Sequence, residues 1–350
     1  MGEISRIGVD TSKAVFTLHG VDASGRGVLR LNLRRSQLLA FFSRLPPMEV
    51  ALEACGSSHH WGRQLAALSH RVRLIPPQYV KPYVKRGKND RVDAEAICEA
   101  ASRPDMRFVA VKSVAQQAEG LVPKLRETLM CQRTQLINTL RGHAAEFGVT
   151  AAKGTAHVTA LLASLAADPT IPDVAKEMLA LLGQQIDQLN SRITALEARL
   201  HAMHKASATS RRLATIPGIG PLIALSLTLE VDPAAFRSGR HLSAWLGLTP
   251  KDHSSGGRQR LGGITRAGNE RLRALLVSGA MAVIRHANRP ASKTATDWLR
   301  QLLQRRPRKL AAVALANKIA RIAWAVMTSG QDYRPPARPT SASPAAMVSA

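Results

Sequence analysis

The stretch IGVDTSK, residues 7–13, decides the fold of the N-terminal part of this chain. It is an apolar run that ends in an acid, Asp10, and a second run of the same kind, VALE at residues 50–53, ends in Glu53. A carboxylate at the end of a buried strand loses hydration, and neighbouring carboxylates repel each other, unless a cation offsets both costs. The two motifs therefore predict strand ends that converge on a cation.

A third acidic motif, KNDRVDA at residues 88–94, carries Asp90 and Asp93 three positions apart. This spacing places both side chains on one face of a helix. Together with Asp10 and Glu53 they make four carboxylates, which suit Mg²⁺ because this hard ion takes oxygen ligands. On a strongly basic protein, such a cluster points to phosphodiester chemistry.

The segments around these motifs alternate between strand and helix patterns. Three strands follow one another in a meander, and then a helix, a strand, a helix and a strand. This order predicts an RNase H-like (RuvC-like) α/β domain over residues 1–112. The predicted strands cover residues 6–9, 15–18, 28–33, 50–53 and 72–75.

Residues 113–210 are predicted to be almost wholly helical. Apolar residues recur there with alternating steps of four and three, which is the a/d seam of a coiled coil. An ordinary amphipathic helix is the plainer interpretation. The strict alternation favours an antiparallel hairpin with a helix at residues 121–140, or a seam to another subunit. The seam residues are Leu182, Ile186, Leu189, Ile193, Leu196, Leu200 and Met203.

Residues 211–330 are predicted to form a second helical, basic domain, and residues 331–350 a disordered tail. The string IPGIG at residues 216–220 is typical of a helix-hairpin-helix element. There, Gly218 and Gly220 would expose backbone N–H groups at a helix N-terminus to a phosphate. The alternative is a plain helix–turn–helix packing element.

A loop with two serines follows, Ser254-Ser255-Gly256-Gly257. Most loops of this composition are solvated linkers. The functional interpretation is a hydroxyl nucleophile on a glycine loop, with nearby guanidinium groups that clamp a phosphate. The spacing alone favours the linker. The guanidinium groups belong to Arg258, Arg260 and Arg266.

The charge balance indicates a nucleic-acid partner. The chain of 350 residues has 49 Lys and Arg against 24 Asp and Glu, a formal net charge of +25. Basic side chains displace the counterions that are condensed on phosphates. A merely basic soluble enzyme and a protein of anionic membranes are the alternatives, and no lipidation signal or basic amphipathic helix favours the membrane.

The remaining composition indicates a reduced, cytoplasmic setting. The three cysteines are scattered, which fits free thiols rather than disulfides or a zinc site. We expect neither a signal peptide nor a membrane-spanning segment. We expect a cytoplasmic, nucleoid-associated protein of a bacterium or archaeon.

The ordered motifs GVDTSK, LEACG, KNDRVDAEAI, IPGIG, GLTP, HSSGG and ITRAGNERLR closely resemble those of one family of insertion-sequence transposases. These have an N-terminal RuvC-like DEDD domain and a C-terminal domain with a serine nucleophile, and their best-studied branch is the bridge-RNA-guided recombinases. The resemblance covers about residues 5–330. It implies that Asp10, Glu53, Asp90 and Asp93 are the DEDD carboxylates and that Ser255 is the nucleophile, with Ser254 as the adjacent alternative.

The resemblance implies a DNA transposase or recombinase that joins strands through a transient phosphoserine, with Mg²⁺ at the carboxylates and a structured guide RNA from the element. Its DNA partners would be the element ends and a target. Because two duplexes need at least two nucleophiles, we expect a dimer or tetramer. A Mg²⁺-dependent Holliday-junction-type nuclease is the first alternative, and a non-enzymatic nucleic-acid scaffold is the second.

Overall fold

The computed structural model describes residues 3–85, 90–287 and 296–335, and for residues 90 and 91 the backbone alone. The chain divides into two compact units, residues 1–118 and residues 119–350. The first is mixed α/β and the second is almost entirely helical, as the sequence predicts.

The first unit is built on a five-stranded sheet with the strand order β3-β2-β1-β4-β5. The first three strands are antiparallel neighbours, whereas β4 runs parallel to β1 and β5 runs parallel to β4. All five predicted strands are therefore present. They are β1 Arg6–Thr11, β2 Val15–Val21, β3 Gly27–Arg34, β4 Glu49–Glu53 and β5 Arg71–Ile75.

Helices cover both faces of this sheet. Alternating strand residues such as Ile7, Val9 and Leu52 face one core, which also contains Phe42 and Leu65 from the first two helices. The strand residues that alternate with these, such as Ala51, face the opposite side of the sheet and pack against the last helix of the unit. The helices are α1 Leu38–Phe42, α2 Ser58–Ala67, α3 Pro77–Val80 and α4 Asp90–Ala101.

Helix α4 lies directly on β1 because Gly8 has no side chain. A Cβ atom at Gly8 would lie 2.4 Å from the carbonyl oxygen of Ala94 and 2.7 Å from the amide nitrogen of Cys98. Only glycine permits so close an approach of helix and strand. This contact fixes α4 over β1, the strand that carries Asp10 near its end.

The second unit begins with a long helical hairpin. Its helices are α5 Val114–Glu146, α6 Val158–Ala167 and α7 Asp173–Ala206. Along the seam, Leu129 of α5 packs with Leu189 and Ile193 of α7, and Val122 packs with Leu200. Partners that lie further along α5 lie earlier along α7, so the two helices are antiparallel.

The structure thus adopts the intrachain hairpin, the first of the two alternatives for the heptad pattern. Arg126 of α5 also pairs with Glu197 of α7 at 2.5 Å, and Arg133 donates to Asn190 at 2.9 Å. Four of the seven seam residues are buried in the chain and the other three are half-buried, so the hairpin occupies most of the seam. A subunit contact through this seam stays a prediction.

The rest of the second unit packs around one apolar core that includes Leu213, Leu246, Leu276 and Ile319. Its helices are α8 Ala208–Leu213, α9 Pro221–Glu230, α10 Gly239–Trp245, α11 Glu270–Ala287, α12 Asp297–Arg305 and α13 Arg308–Ser329. Two short strands, β6 Pro250–Asp252 and β7 Leu261–Ile264, form an antiparallel arm. Of the tail that is predicted to be disordered, residues 336–350 lie outside the described residues.

Helix α13 contains an 18-residue window with a mean hydropathy of 1.5, so it is long and apolar enough to cross a membrane by length and composition alone. The sequence pattern did not lead us to expect an apolar helix of this length. Within the unit, however, Ala312, Ala316, Ile319 and Ala323 of this helix are buried in the core. Its apolar character is therefore explained by packing against the neighbouring helices.

Candidate functional site

The two strand-end acids lie side by side at one edge of the sheet. Strands β1 and β4 are parallel neighbours, with Val9 paired to Leu52. Asp10 and Glu53 are the next residues along each strand, so both stand at the carboxyl-end edge. Because they alternate with Val9 and Leu52, which face the α1/α2 core, both carboxylates point to the face that α4 covers.

Asp93 belongs to the same edge. It precedes Ala94, the residue of α4 that contacts Gly8. Burial raises the pKa of Glu53, and the negative charge of Asp93 raises it further. The backbone of Asp90 forms the first residue of α4, and its side chain lies outside the described residues. The structure therefore brings three of the four predicted carboxylates to one edge, which we call the carboxylate edge.

These residues fit a divalent cation in chemical type. Carboxylate oxygens are the ligands that Mg²⁺ prefers. The repulsion between Glu53 and Asp93 is of the kind that a bound cation relieves. Among the described side chains, no three His, Cys, Asp or Glu residues are already arranged to hold a metal ion. The arrangement thus supplies ligands and an electrostatic reason for a cation, without a finished coordination shell.

Ser255 lies at the tip of the β6/β7 arm, in a four-residue turn. The amide of Arg258 donates to the carbonyl oxygen of Ser255 at 3.1 Å. Gly256 and Gly257 between them have φ angles of +56° and +75°. Positive φ at both central positions is the geometry of a type I′ turn, which glycine adopts without strain. The Ser-Gly-Gly string is thus a tight hairpin turn rather than an irregular linker.

The two adjacent serines differ in their hydrogen bonds. The hydroxyl of Ser254 donates to the Asp252 carboxylate and accepts from the amide of Arg260 at 3.0 Å. The Ser254 hydroxyl also lowers the pKa of Asp252 by this bond. The hydroxyl of Ser255, in contrast, makes no hydrogen bond with any residue that the structure describes, and it is exposed. Ser254 therefore stabilises the arm, and Ser255 presents a hydroxyl to solvent.

The three predicted arginines surround this arm with exposed side chains. The backbone of Arg258 closes the turn, and the carbonyl oxygen of Arg260 accepts from the amide of His253 at 2.9 Å. Arg266 lies at the base of the arm, where its amide donates to Gly247 at 3.2 Å and its φ is +56°. Their side chains are exposed and are therefore accessible to an anion that approaches the arm.

The base of the arm contains a close crossing of two backbone segments. A Cβ atom at Gly268 would lie 1.8 Å from the carbonyl oxygen of Trp245, and one at Gly247 would lie 2.3 Å from that of Ala267. The buried guanidinium of Arg273 donates to the carbonyl oxygens of Leu246 and Ala267, both at 3.0 Å. Arg273 therefore ties together the two segments from which the arm extends.

The residues at the base of the arm, Gly247, Gly268 and Arg273, were not predicted from the sequence. The glycines in GLTP and TRAGN, Gly247 and Gly268, can be recognised in the sequence. The backbone atoms that they contact belong to segments distant in sequence and cannot be predicted from local patterns. The same holds for Arg271, which pairs with Glu230 at 2.5 Å and with Glu127 at 2.7 Å.

The predicted Gly-x-Gly hairpin links α8 to α9, and its two glycines differ in role. Gly218 has a φ of +91° and packs on α11, where a Cβ atom at Gly279 would lie 2.0 Å from the Gly218 carbonyl oxygen. Gly220 is exposed and directly precedes α9. A shallow pocket of about 490 Å³ borders both glycines. Gly218 thus serves packing, and Gly220 leaves the start of α9 accessible.

We expect Gly268→Ala to destabilise the second unit by about 2–5 kcal/mol. Alanine is strained at the positive φ of this position, and its Cβ atom would also clash with the carbonyl oxygen of Trp245. Thermal unfolding measures this loss. Gly263→Ala is the matched control, since a Cβ atom there meets nothing within 4 Å and its φ is not positive. An unchanged Tm for Gly268→Ala would contradict the close crossing.

Comparison with known proteins places two family models on this chain. A model described as Transposase matches residues 7–148, and one described as Transposase IS116/IS110/IS902 family matches residues 210–296. The first spans the carboxylate edge, and the second spans the hairpin of Gly218 and the arm of Ser255.

Whole-length relatives agree with these matches. The chain is 53% identical over 333 residues to a candidate transposase of Sinorhizobium fredii, covering 95% of this chain and 86% of the relative. It is 42% identical over 339 residues to the transposase for insertion sequence element IS1111A of Coxiella burnetii, covering 95% and 92%. It is 37% identical over 331 residues to the transposase for IS1328 of Yersinia enterocolitica, covering 94% and 98%.

Proposed function

Because the chain belongs to the IS116/IS110/IS902 family of insertion-sequence transposases, we propose that it cuts and rejoins DNA through a serine nucleophile, Ser255. Family membership makes it a transposase that acts on DNA. The serine chemistry, Mg²⁺ at the carboxylate edge and guidance by an RNA of the element are the further parts of the proposal.

One observation carries the serine mechanism. Of two adjacent serines, only Ser255 has a hydroxyl without a hydrogen bond to the described residues, and it lies at an exposed turn that Arg258 and Arg260 follow. A nucleophile must reach a phosphorus atom without first giving up a structural bond. Guanidinium groups bind the non-bridging phosphate oxygens and stabilise the charge that develops on them.

In the proposed reaction the Ser255 Oγ forms a bond to phosphorus as the bond from phosphorus to the 3′ oxygen breaks. The hydroxyl proton leaves Ser255, and the 3′ oxygen departs as a hydroxyl after it gains a proton. A 3′-hydroxyl of the partner strand then attacks the phosphoserine, which restores a phosphodiester and returns Ser255. No bond energy is lost to hydrolysis. A strand-exchange assay on DNA with element ends tests this scheme.

Asp10, Glu53, Asp90 and Asp93 would hold the metal. The DEDD-type domain implies a divalent metal. Mg²⁺ would polarise the phosphate and stabilise an attacking or leaving oxygen. The strand order β3-β2-β1-β4-β5, with acids at the ends of β1 and β4, supports the assignment to the RNase H-like fold.

DNA and guide RNA would be bound mostly through their phosphates. The net charge of +25 supports this, together with the exposed side chains of Arg258, Arg260 and Arg266. Gly220 at the start of α9 offers a further phosphate contact, with Gly218 shaping the turn before it. Base pairing to the RNA would choose the target, while two or more subunits would supply the nucleophiles for two duplexes.

A metal-dependent, Holliday-junction-type nuclease is the second candidate. The carboxylate edge favours it, since the same acids could activate water without any serine. In that case the Ser255 arm would serve only as a DNA clamp. The two functions differ in whether protein becomes covalently attached to DNA.

The metal site can be tested by stability alone. In metal-free buffer at neutral pH, we expect Glu53→Gln to unfold at a higher temperature than the wild type, because it removes a half-buried carboxylate that faces Asp93. About 1 kcal/mol of relief corresponds to a rise of roughly 2–8 °C in domains of this size. Added Mg²⁺ should stabilise the wild type more than the variant.

Glu99→Gln is the matched control, since Glu99 is an exposed acid of α4 that pairs with Arg103. It should leave the response to Mg²⁺ unchanged. An equal Mg²⁺ response in wild type and Glu53→Gln would remove Glu53 from the metal site.

A further inference from the structure

A polar groove lies beside the carboxylate edge, on the face of the sheet that α4 covers. Its volume is about 410 Å³. The lining of this groove includes neither the proposed metal ligands nor any residue of the arm. The groove is lined by Thr17, Leu18, His19, Arg30, Leu31 and Asn32 of β2 and β3 and by Val92 and Glu95 of α4.

Strand register places the groove next to Asp10. Asp10 pairs with Thr17 across β1 and β2, and Thr17 pairs with Asn32 across β2 and β3. Neighbouring strands lie about 4.8 Å apart, so Thr17 and Asn32 continue the row that starts at Asp10. The next row on the same face contains His19 and Arg30. The groove therefore leads away from the carboxylates along two rows of polar side chains.

These side chains have unused hydrogen-bonding capacity. Thr17 is 5% exposed and His19 is 7% exposed, yet neither side chain forms a hydrogen bond with any residue that the structure describes. The side chains of Arg30 and Asn32 likewise form none within the described part of the chain, and both are exposed at the groove. Buried polar groups in proteins are nearly always hydrogen-bonded. The polar atoms of Thr17 and His19 are not among the buried side-chain atoms that lack a partner, so solvent reaches them in the groove and a ligand can replace that water as their partner.

The charges favour an anionic ligand. Glu95, the acid of the groove, pairs with Lys85 at 2.5 Å, which offsets its charge. Arg30 lies close enough to lower the pKa of Glu95 but forms no ion pair within the described residues, so its guanidinium can serve a phosphate. Thr17 and Asn32 can donate to and accept from sugar or base atoms.

We propose that this groove holds a single DNA strand on its way to the carboxylate edge, with Arg30 on a phosphate and Asn32 and Thr17 on the adjoining nucleotide. The inference rests on the proposed function, because the strand at the carboxylates is the one that is cut. The volume of the groove, about 410 Å³, lies within the range of sites for small ligands, which suits a short stretch of one strand.

Photo-crosslinking tests the occupant. Full-length Asp93→Asn protein, which should not cut, is irradiated with a single-stranded DNA oligonucleotide that carries 5-iodouracil, and in parallel with RNA of the same sequence. We expect DNA crosslinks within residues 27–34. The double variant Arg30→Gln/Asn32→Ala, made in the same background, should lower their yield by about tenfold, because it removes a charge-assisted and a neutral hydrogen bond.

The control is Arg44→Gln, which removes the same charge from an exposed site after α1, on the other face of the sheet. It should leave the crosslinks unchanged. In otherwise wild-type protein, the double variant should raise the KM for DNA cleavage by about tenfold and change kcat little, since it removes binding and leaves the carboxylates intact. Its Tm should match the wild type, because both replaced side chains are exposed.

The outcomes separate the groove from the general function. If the double variant crosslinks and cleaves like the wild type while Asp93→Asn is inactive, the groove proposal is wrong and the transposase mechanism stands. If the crosslinks in residues 27–34 form only with RNA, the proposed occupant is wrong. If Asp93→Asn cleaves normally, the metal mechanism itself fails.

Discussion

Ser255→Ala abolishes strand exchange and the covalent protein–DNA adduct, if the proposed mechanism is correct. The exposed hydroxyl is the nucleophile, and alanine has no atom that can bond to phosphorus. Loss of a nucleophile typically lowers the rate by about 10⁴-fold or more. The measurement is a Mg²⁺-treated reaction with labelled DNA, denatured and resolved so that protein-linked DNA separates from free DNA.

Ser254→Ala is the internal control for this experiment. Its hydroxyl bonds to Asp252 and to the amide of Arg260, so its loss loosens the arm but leaves the attacking atom in place. We expect this variant to keep substantial activity and the adduct. Cleavage that persists in Ser255→Ala with free DNA ends would discard the serine mechanism and support the nuclease alternative.

Asp93→Asn should lower strand cleavage by about 10³-fold while DNA binding and folding are kept. One ligand of the proposed metal site is lost, and stabilisation of transition-state charge by a metal is worth several kcal/mol. The substitution should not lower the stability of the fold, because it removes a charge that repels Glu53 and thereby raises the pKa of Glu53. Cleavage assays and thermal unfolding on the same preparation measure both effects.

Asp105→Asn is the matched control, an exposed acid in the segment after α4. It removes the same charge and should cleave like the wild type. Asp10→Asn should reproduce the loss seen in Asp93→Asn, since both side chains lie at the carboxylate edge. Normal cleavage by either of these two variants would overturn the metal-site assignment.

Local patterns were enough to predict the sheet and its acids. Apolar runs that end in Asp10 and Glu53 predicted two strand ends, and the parallel pairing of β1 and β4 brings these ends together. The heptad pattern predicted a helical seam, and the structure selected the hairpin within the chain. These features follow from periodicity and strand order, which are properties of short segments.

Contacts between distant segments could not be predicted in this way. Nothing in the neighbourhood of Gly268 shows that Trp245 lies against it, or that Arg273 reaches Leu246 and Ala267. The difference between the hydrogen bonds of Ser254 and Ser255 also depends on the position of Asp252 in the folded arm. The apolar sequence of α13 became interpretable only with its neighbours in the core.

The arm that carries Ser255 has a consequence for how this protein can diversify. Residues 250–263 are exposed throughout, whereas the segments at the base are held by Arg273 and by two glycines that tolerate no side chain. Substitutions along the arm, except at Ser254, Gly256 and Gly257, therefore cost little folding free energy, because they disturb no core. Selection, or a directed-evolution library, can vary the side chains around Ser255 without losing the scaffold, provided the base is left untouched.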